Sequence, residues 1–401
     1  MHYYVFIFLN IMRKYFSLVF LLISCMLTGQ ELQNFRPQQV VSPEIANGKV
    51  TFRIAAPQAY QVRLYGSWMK SFTATEPLAK DTGGVWSVTI NAPEPEIYTY
   101  NFFVDGVSVS DAANIFVQRD GRRFLSVLLI DGPLTANYSE ANKRGNLNKV
   151  WFDSPSLGLT RRMFVYTPHG YNTSNKRYPV LYLHHGGGGD EDAWSNMGRA
   201  CQILDNLIEQ GKAVPMIVVM PNGNPGQQAA STLLLPEKTF ERSGSSGYLT
   251  LESTYFINSI VKDIVPYIDS HYRVLAGVKN RAISGLSMGG GHSYYTGLNN
   301  LDLFSYVGVF STGLFGMNPE ANYDPESEIP GILTNPKKWN DALNLLYISC
   351  GTSDPRVDPT RRVVQRFREA GLKVDYVEYP GGHEWSFWRR TLQDFTQKIF
   401  K

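Results

Sequence analysis

Residues 281–291 read RAISGLSMGGG, and within them Gly285 to Gly289 have the pattern G-x-S-x-G. Apolar residues precede the pattern and further glycines follow it, which predicts a strand, a sharp turn and the start of a helix. Glycines suit such a turn because a Cβ at those positions would crowd the bend. The helix start also brings backbone N–H groups to Ser287, where they favour developing negative charge. We therefore predict that Ser287 is a nucleophile.

The sequence on both sides of this turn alternates strands with helices. Apolar residues between Ile257 and Ile268 fall at helical spacing. Buried strands are predicted at 178–183, 216–220, 281–284, 306–310, 345–348 and 374–377. Continuous apolar strands separated by helices indicate a mostly parallel sheet covered on both faces. Residues 149–401 are therefore predicted to form one α/β domain.

Two residues further along the chain are candidates for the base and the acid that a serine nucleophile needs. His383 follows a predicted strand that ends at Tyr379 and precedes the last helix. Its role would be to take the serine proton, because serine alone is a poor nucleophile. Asp354 lies just past the carboxyl end of another strand, and the order serine, acid, histidine is that of the α/β-hydrolase fold. Asp358 lies in the same loop and is the alternative acid for orienting the imidazole.

A glycine-rich loop, His185-Gly186-Gly187-Gly188-Gly189, follows the strand that ends at Leu183. Acyl transfer passes through an oxyanion that preplaced N–H donors must stabilise. One donor is predicted at Met288, the residue after the nucleophile, and the other at Gly187, with Gly186 as second choice. The loop lacks the G-K-[ST] ending of a phosphate-binding loop, and no dinucleotide fingerprint follows it.

The region before this domain has a different pattern. Short alternating segments such as Val50 to Ile54 and Val85 to Ile90 are separated by turn residues, which predicts antiparallel strands. Residues 31–131 are predicted to form a small immunoglobulin-like β-sandwich. The polar residues 132–148 are predicted to be a linker. The whole chain is thus predicted to be an α/β-hydrolase fold with a mostly parallel sheet, preceded by the β-sandwich.

The first 29 residues have the layout of an export signal: a basic pair, Arg13 and Lys14, precedes a short apolar stretch and then small residues. Because the first eleven residues carry no basic charge, Met12 is a possible start. Two processing routes remain open. Cleavage near Gly29 would release a soluble protein, whereas Leu22-Ile23-Ser24-Cys25 resembles a lipobox, in which Cys25 would carry an outer-membrane lipid anchor. Either route predicts a periplasmic, secreted or cell-surface protein.

Composition narrows the classes of partner. The net charge of +3 is slight and spread along the chain, so no nucleic-acid partner is expected. Cys201 and Cys350 are predicted to be free thiols in a helix and a strand. No CxxC or HExxH spacing is present, and we therefore expect neither a metal nor a cofactor.

Several motifs together resemble the esterase-D-like hydrolases, and most closely the feruloyl and acetylxylan esterases of carbohydrate esterase family one. The matching stretches are Tyr166-Thr167-Pro168, HHGGGGDEDAW (184–194), GLSMGG (285–290), CGTSD (350–354) and GGHEWSFWR (381–389). In that family the residues matching Ser287, Asp354 and His383 are the catalytic triad. The first domain resembles the sandwich modules of isoamylases and branching enzymes, on Tyr98 to Phe102 followed by Val104-Asp105-Gly106.

This resemblance implies a secreted serine esterase that removes feruloyl or acetyl groups from plant cell-wall xylan through an acyl-enzyme. Trp385, Trp388 and His185 are candidates for contacting the substrate, with helix packing as the alternative role of the two tryptophans. Two other functions remain open. An enterochelin-type siderophore esterase also pairs a β-domain with such a hydrolase, and a glycan-binding protein could carry a degenerate hydrolase domain.

Overall fold

A computed structural model describes residues 40–69, 71, 73–121, 123–227, 230 and 251–401. The predicted leader and Cys25 lie outside these residues. The chain divides into two compact units. The first holds the described residues up to Tyr65 with Ser71–Ala92 and Phe102–Ile115, and the second holds those of Gly66–Lys70, Pro93–Asn101 and Phe116–Lys401.

The N-terminal part of the chain is antiparallel β structure, as predicted. Its strands are β1 Glu44–Ala46, β2 Lys49–Ala55, β3 Val62–Gly66, β4 Glu76–Pro77, β5 Ala79–Lys80, β6 Val85–Asn91, β7 Ile97–Val104, β8 Val107–Val109, β9 Val117–Asp120 and β10 Arg123–Leu129. In the first unit, β1, β2, β6 and β5 form a sheet in that order. Phe52 pairs with Val88 across β2 and β6, and Val50 and Phe52 are buried while Thr51 between them is not. Period-two alternation therefore buries one face of this sheet.

The second unit is built on a mixed eight-stranded sheet with the order β11-β12-β14-β13-β15-β16-β17-β18. These strands are β11 Asn146–Ser154, β12 Leu159–Thr167, β13 Val180–His184, β14 Ile217–Pro221, β15 Arg281–Leu286, β16 Tyr306–Phe310, β17 Leu345–Gly351 and β18 Asp375–Tyr379. The pairings from β14 through β18 are parallel, whereas β11 and β12 are antiparallel to their neighbours. The predicted mostly parallel sheet is confirmed.

Helices cover both faces of this sheet. They are α1 Ala193–Asn196, α2 Ala200–Glu209, α3 Leu251–Ser259, α4 Val265–His271, α5 Met288–Asn299, α6 Pro325–Glu328, α7 Lys337–Ala342, α8 Val357–Glu369 and α9 Trp385–Thr396, with 3₁₀ turns at Tyr171–Thr173 and Val278–Asn280. Val180 and Tyr182 of β13 pack in one apolar core with residues of α3, α5 and α8. Leu181 and Leu183 pack in a second core with residues of α2 and α9. Successive residues of β13 thus point to opposite helical layers, which explains why this strand is apolar throughout.

The helix predicted between Ile257 and Ile268 contains a π-helical turn, Ile260–Ile264, between α3 and α4. Pro266 lies in the first turn of α4. Because proline has no N–H, a regular α-helix through this point would lose one backbone hydrogen bond, and a π turn accommodates such a gap.

The two compact units do not end where the sequence predicts domain boundaries. The domain boundaries themselves stay a prediction. Residues 93–101 and 116–131 fall in the second unit rather than with the rest of the β region. The predicted linker packs on α2: the carbonyl of buried Tyr138 accepts hydrogen bonds from Arg199 at 2.7 and 2.9 Å, and Gly145 N donates to Asp205 at 2.8 Å.

Cys201 and Cys350 are free cysteines. Among the described residues, no helix has the combined length and apolarity that crossing a membrane requires.

Candidate active site

Ser287 lies at the sharp turn between β15 and α5, with φ 52° and ψ −114°. This left-handed φ is unusual for a residue with a side chain, and the hydrogen bond from Ser287 N to Phe310 O (2.8 Å) helps to hold it. A Cβ on Gly285 would lie 2.5 Å from Gly289 O, and one on Gly289 would lie 2.4 Å from His185 O. The two glycines are therefore required by close approach of the backbone, and they leave the serine side chain at the carboxyl edge of the sheet.

The structure brings the three predicted triad residues together. His383 Nε2 lies 3.0 Å from Ser287 Oγ, and His383 Nδ1 lies 2.8 Å from Asp354 Oδ2. An ionised carboxylate can only accept, so Nδ1 carries the proton and Nε2 is free to accept from the serine hydroxyl. Asp354 follows the end of β17, and His383 lies between β18 and α9. Three side chains that follow β15, β17 and β18, at the same edge of the sheet, thus form one hydrogen-bonded line.

The Asp354 carboxylate is buried and held on its other oxygen by Arg356. Oδ1 accepts hydrogen bonds from Arg356 N at 3.0 Å and from Arg356 Nη1 at 2.9 Å. Burial raises the pKa of Asp354, but the hydrogen bonds from His383 and Arg356 outweigh it and bring the pKa below its ordinary value. The carboxylate is therefore ionised at neutral pH and oriented towards the imidazole. Arg356 was not predicted from the sequence, where a positive charge two residues after the acid was the available signal.

The alternative acid, Asp358, has a different environment. It lies on α8, is exposed, and forms an ion pair with Arg361 at 2.9 Å. Glu384, adjacent to the histidine, accepts a hydrogen bond from Gly382 N at 3.0 Å. The carboxylate that His383 meets is that of Asp354.

His185 supports the glycine-rich loop from within. Its Nε2 accepts a hydrogen bond from Gly223 N at 2.7 Å, which places the proton on Nδ1, and Nδ1 donates to Gly186 O at 2.7 Å. Burial lowers the pKa of this ring, so the imidazole stays neutral. Both nitrogens bond within the protein and the side chain is buried, so His185 supports the loop. A contact between His185 and the substrate stays a prediction.

Two of the predicted oxyanion donors lie on this loop. A Cβ on Gly186 would lie 2.4 Å from a methyl carbon of Leu286 and 3.3 Å from Ser287 Cβ, whereas a Cβ on Gly187 would meet no atom within 4 Å. The loop therefore passes directly beside the serine, with Gly187 on its open side. Met288 is the first residue of α5. The assignment of these N–H groups as oxyanion donors stays a prediction.

Aromatic side chains line the histidine. The ring of buried Trp388 lies edge-on to His383, with 4.9 Å between the ring centroids. Trp385 is half-buried and packs edge-on between Trp194 and Trp388, at 5.3 and 5.2 Å. Trp388 thus packs against the imidazole, while Trp385 keeps part of its surface accessible. Substrate contacts by the two tryptophans stay a prediction.

A buried polar network behind the loop was also missed from the sequence. Glu191 forms an ion pair with Arg162 and accepts hydrogen bonds from Asn222 at 2.9 Å and Gln227 at 3.2 Å. The network joins β12, the loop and the end of β14. Within the described part of the chain, histidine, cysteine and carboxylate side chains form no cluster of three or more that could hold a metal ion.

Comparison with known families divides the chain in two. Residues 154–399 match the family described as putative esterase, and residues 39–116 match carbohydrate-binding module 48, the isoamylase N-terminal domain. The segment between residues 116 and 154 lies outside both matches.

Two relatives of this chain are named as xylanases. The chain is 31% identical over 365 residues to the endo-1,4-beta-xylanase/feruloyl esterase of Xylanibacter ruminicola, covering 89% of this chain and 45% of that protein. It is 30% identical over 158 residues to endo-1,4-beta-xylanase Y of Acetivibrio thermocellus, covering 37% of this chain and 12% of that protein. The chain therefore spans less than half the length of either relative.

Solved structures give the same fold. A CE1 ferulic acid esterase of Anaeromyces mucronatus, in complex with ferulic acid, is 27% identical with a TM-score of 0.52, over 65% of this chain and 93% of that chain. The enterobactin esterase of Shigella flexneri has a TM-score of 0.60 over 92% of this chain and 98% of that chain, at 15% identity. The second likeness is one of fold alone.

Proposed function

Because the chain belongs to the putative esterase family, whose match covers residues 154–399, we propose that it is a serine carboxylic-ester hydrolase that acts through an acyl-enzyme. The observation that carries this proposal is the hydrogen-bonded line from Ser287 Oγ through His383 to Asp354, at 3.0 and 2.8 Å. These distances are those at which a proton passes between a nucleophile and its base.

In the first half of the reaction, Ser287 Oγ attacks the ester carbonyl carbon while His383 Nε2 takes the hydroxyl proton. The carbonyl oxygen becomes an oxyanion beside the N–H groups of Met288 and Gly187. Asp354 stabilises the imidazolium and keeps its orientation. The C–O bond to the leaving alcohol then breaks, and His383 donates its proton to that oxygen, which leaves the acyl group on Ser287.

In the second half, water replaces the alcohol. His383 takes a proton from the water as its oxygen attacks the acyl carbon, and a second oxyanion forms. When the bond to Ser287 breaks, the proton returns to Oγ and the free acid leaves. Each group of the protein is restored, so the cycle needs no cofactor.

We further propose that the acyl group is feruloyl or acetyl and that the alcohol is a sugar hydroxyl of plant cell-wall xylan. Support comes from the relatives, one a xylanase/feruloyl esterase and another a ferulic acid esterase bound to ferulic acid. The half-buried indole of Trp385 packs on Trp388, which contacts the base, and we propose that its accessible surface receives an aromatic acyl group.

Ser287→Ala tests the nucleophile directly. We expect kcat for methyl ferulate and p-nitrophenyl acetate to fall by a factor on the order of 10⁶, with the circular dichroism spectrum unchanged. Ser293→Ala is the matched control, because Ser293 lies on the same helix and its Oγ bonds to Gly289 O at 2.7 Å. Full activity of Ser287→Ala would remove the assignment.

A fluorophosphonate probe separates this proposal from a glycan-binding protein with a degenerate hydrolase domain. Mass spectrometry should find the probe on Ser287, whereas a protein without an activated serine would stay unlabelled. A panel of methyl ferulate, acetylated xylan and a catecholate trilactone compares the remaining activities. Preference for the trilactone would favour the siderophore esterase.

We also propose that the protein works outside the cytoplasm. The basic pair, apolar stretch and small residues of positions 13–29 support export. Sequencing the mature N-terminus distinguishes cleavage near Gly29 from lipidation of Cys25, and an intact N-terminus in the cytoplasm would contradict both.

A further inference from the structure

The hairpin formed by β9 and β10 belongs to neither family match, because one match ends at residue 116 and the other begins at residue 154. Its strands pair with Phe124 opposite Arg119, and the turn between them contains Gly121. The structure places this hairpin in the second unit, together with the candidate active site.

Arg119 reaches from the hairpin to the segment that follows the glycine-rich loop. Its guanidinium lies 2.7 Å from each carboxylate oxygen of Asp190 and 3.1 Å from Asp192 Oδ2. Its Nη1 also donates to Gly121 O at 2.6 Å, which ties the side chain to its own turn. The side chains of Arg119 and Asp190 are only 6% and 2% exposed. This is a buried ion pair, anchored by the hydrogen bond from Nη2 to Asp190 Oδ1, with little freedom to adopt another geometry.

Asp190 transmits this constraint to the loop backbone. It directly follows Gly189, its Oδ1 accepts a hydrogen bond from Asp192 N at 3.0 Å, and its carbonyl accepts one from Ala193 N at 3.1 Å. The loop itself closes through Gly189 N to Gly186 O at 3.2 Å. Moving Asp190 would therefore move the glycines beside Ser287.

The hairpin touches the loop at a second point. A Cβ on Gly121 would lie 2.6 Å from Gly188 O, and Gly121 has φ 59°. The turn thus packs its backbone directly against the loop backbone, which only a residue without a side chain allows. His185 and Asn224 hold the loop from the other side, with Asn224 Nδ2 donating to Gly189 O at 2.8 Å.

We propose that Arg119 is a positioning residue that holds the backbone of residues 186–189 in place beside Ser287. The proposal rests on the esterase function proposed above for its effect on rate. The reason is geometric, because the N–H groups of this loop can stabilise an oxyanion only if they point at its position beside Ser287. An N–H displaced by about 1 Å loses much of its stabilisation of an oxyanion, although nothing in the triad changes.

Arg119→Met and Arg119→Lys test the effect on catalysis. We expect Arg119→Met to lower kcat for p-nitrophenyl acetate by about 10- to 100-fold while KM changes little, because the loss falls on the transition state. Lysine should restore part of the rate, since an ammonium can pair with Asp190 but lacks the fork that also reaches Asp192.

Arg281→Met is the matched control. Arg281 is a similarly buried arginine, with a side chain 9% exposed, and it forms an ion pair with Asp269. It lies at the first residue of β15, the strand end opposite Ser287. We expect this variant to lower the melting temperature without lowering kcat of the remaining folded protein. An equal loss of kcat in both variants would assign the effect to general stability and overturn the proposal.

Hydrogen–deuterium exchange gives a readout that does not depend on activity. Amides of residues 185–193 should exchange faster in Arg119→Met than in the wild type or in Arg281→Met. Unchanged exchange would overturn the positioning role whichever esters the enzyme hydrolyses. Conversely, a wild-type protein that hydrolyses no ester would reject the proposed function, and the exchange data would still decide whether Arg119 holds the loop.

Discussion

Asp354 and Asp358 lie four residues apart, yet only one carboxylate meets the imidazole. We predict that Asp354→Asn lowers kcat by about 10³- to 10⁴-fold, because the amide cannot hold the same imidazole tautomer or stabilise its charge. Asp358→Asn should retain the wild-type rate, since it loses only an exposed ion pair with Arg361. Steady-state kinetics of both variants on p-nitrophenyl acetate decide the question, and the opposite ranking would make Asp358 the acid.

The sequence predicted these residues from order and position alone. Ser287 and Asp354 each follow an apolar strand, His383 follows a third strand, and parallel strand ends share one edge of a sheet. Such patterns do not predict which groups surround each of these residues. The positive charge two residues after Asp354 is visible in the sequence, but its fold back onto the carboxylate is not, and neither are the bonds of both His185 nitrogens to backbone groups. These contacts depend on packing that a linear pattern does not contain.

At the scale of single elements, β13 and α5 each bury a histidine. His184 and His292 both pack against Phe256, with ring centroids 5.5 and 5.1 Å away. Among the described residues, neither imidazole has a hydrogen-bond partner. Burial lowers the pKa of His184 well below its ordinary value, and burial with the nearby His185 lowers the pKa of His292 to about 3. Both rings are therefore neutral in the folded protein.

These two rings make stability depend on pH. The unfolded chain binds protons at the histidines as the pH falls below about 6.5, whereas the folded protein does not until near pH 3 for His292. The stability that the neutral rings provide is thus complete above about pH 6.5 and is lost as the pH falls through this window.

We predict that His292→Met moves the midpoint of acid unfolding to lower pH, because one titrating group is removed from the buried pair. The measurement is far-ultraviolet circular dichroism between pH 7 and pH 3. His271→Met serves as the control, since His271 is exposed and stacks on Tyr267. A midpoint that does not move in His292→Met would show that other groups set the acid limit.

Strands with a continuous apolar sequence were the easiest elements to predict. The apolar strands β13 to β17 lie close to their predicted positions because almost all of their residues, on both faces, are buried. The hairpin of β11 and β12 was not predicted, and the start of β11 lay within the expected linker. Most residues of β11 are exposed, as befits an edge strand, and five of the nine are polar, so its sequence resembles a loop.

At the scale of the whole molecule, residues before position 149 form buried contacts with the predicted α/β domain. Arg389, on the helix that follows His383, is only 2% exposed and pairs with Glu96 at 2.9 Å. It also donates to Ile97 O at 2.9 Å and Met197 O at 2.7 Å. This arginine lies within one of the motifs that suggested an esterase, and its partner lies in the segment that the sequence placed in the β-sandwich.

We therefore predict that a fragment of residues 149–401 is less stable than one of residues 40–401. Removing one partner of a buried ion pair costs about 3–5 kcal/mol, and the fragment loses both Glu96 and Arg119. Glu96→Gln in the longer chain isolates one of the two losses. Differential scanning calorimetry should rank the longer chain first, Glu96→Gln second and the fragment last, and equal melting temperatures would show that the second unit needs nothing before residue 149.

The predicted domain boundaries followed a change of pattern, from short strands to strands alternating with helices. That pattern describes local structure only. Glu96 and Arg389 are 293 positions apart, so no window of sequence contains both. The membership of residues 93–101 and 116–131 in the second unit depends on such pairs.

The same long separations determine when activity can return after denaturation. Ser287 and His383 are 96 positions apart, and Arg119 and Asp190 are 71 positions apart. Bringing distant segments together costs loop entropy before any contact repays it, so such contacts form late. The return of hydrolytic activity during refolding would therefore report when the second unit is finally assembled. Fluorescence or circular dichroism would already change during the earlier collapse of the chain.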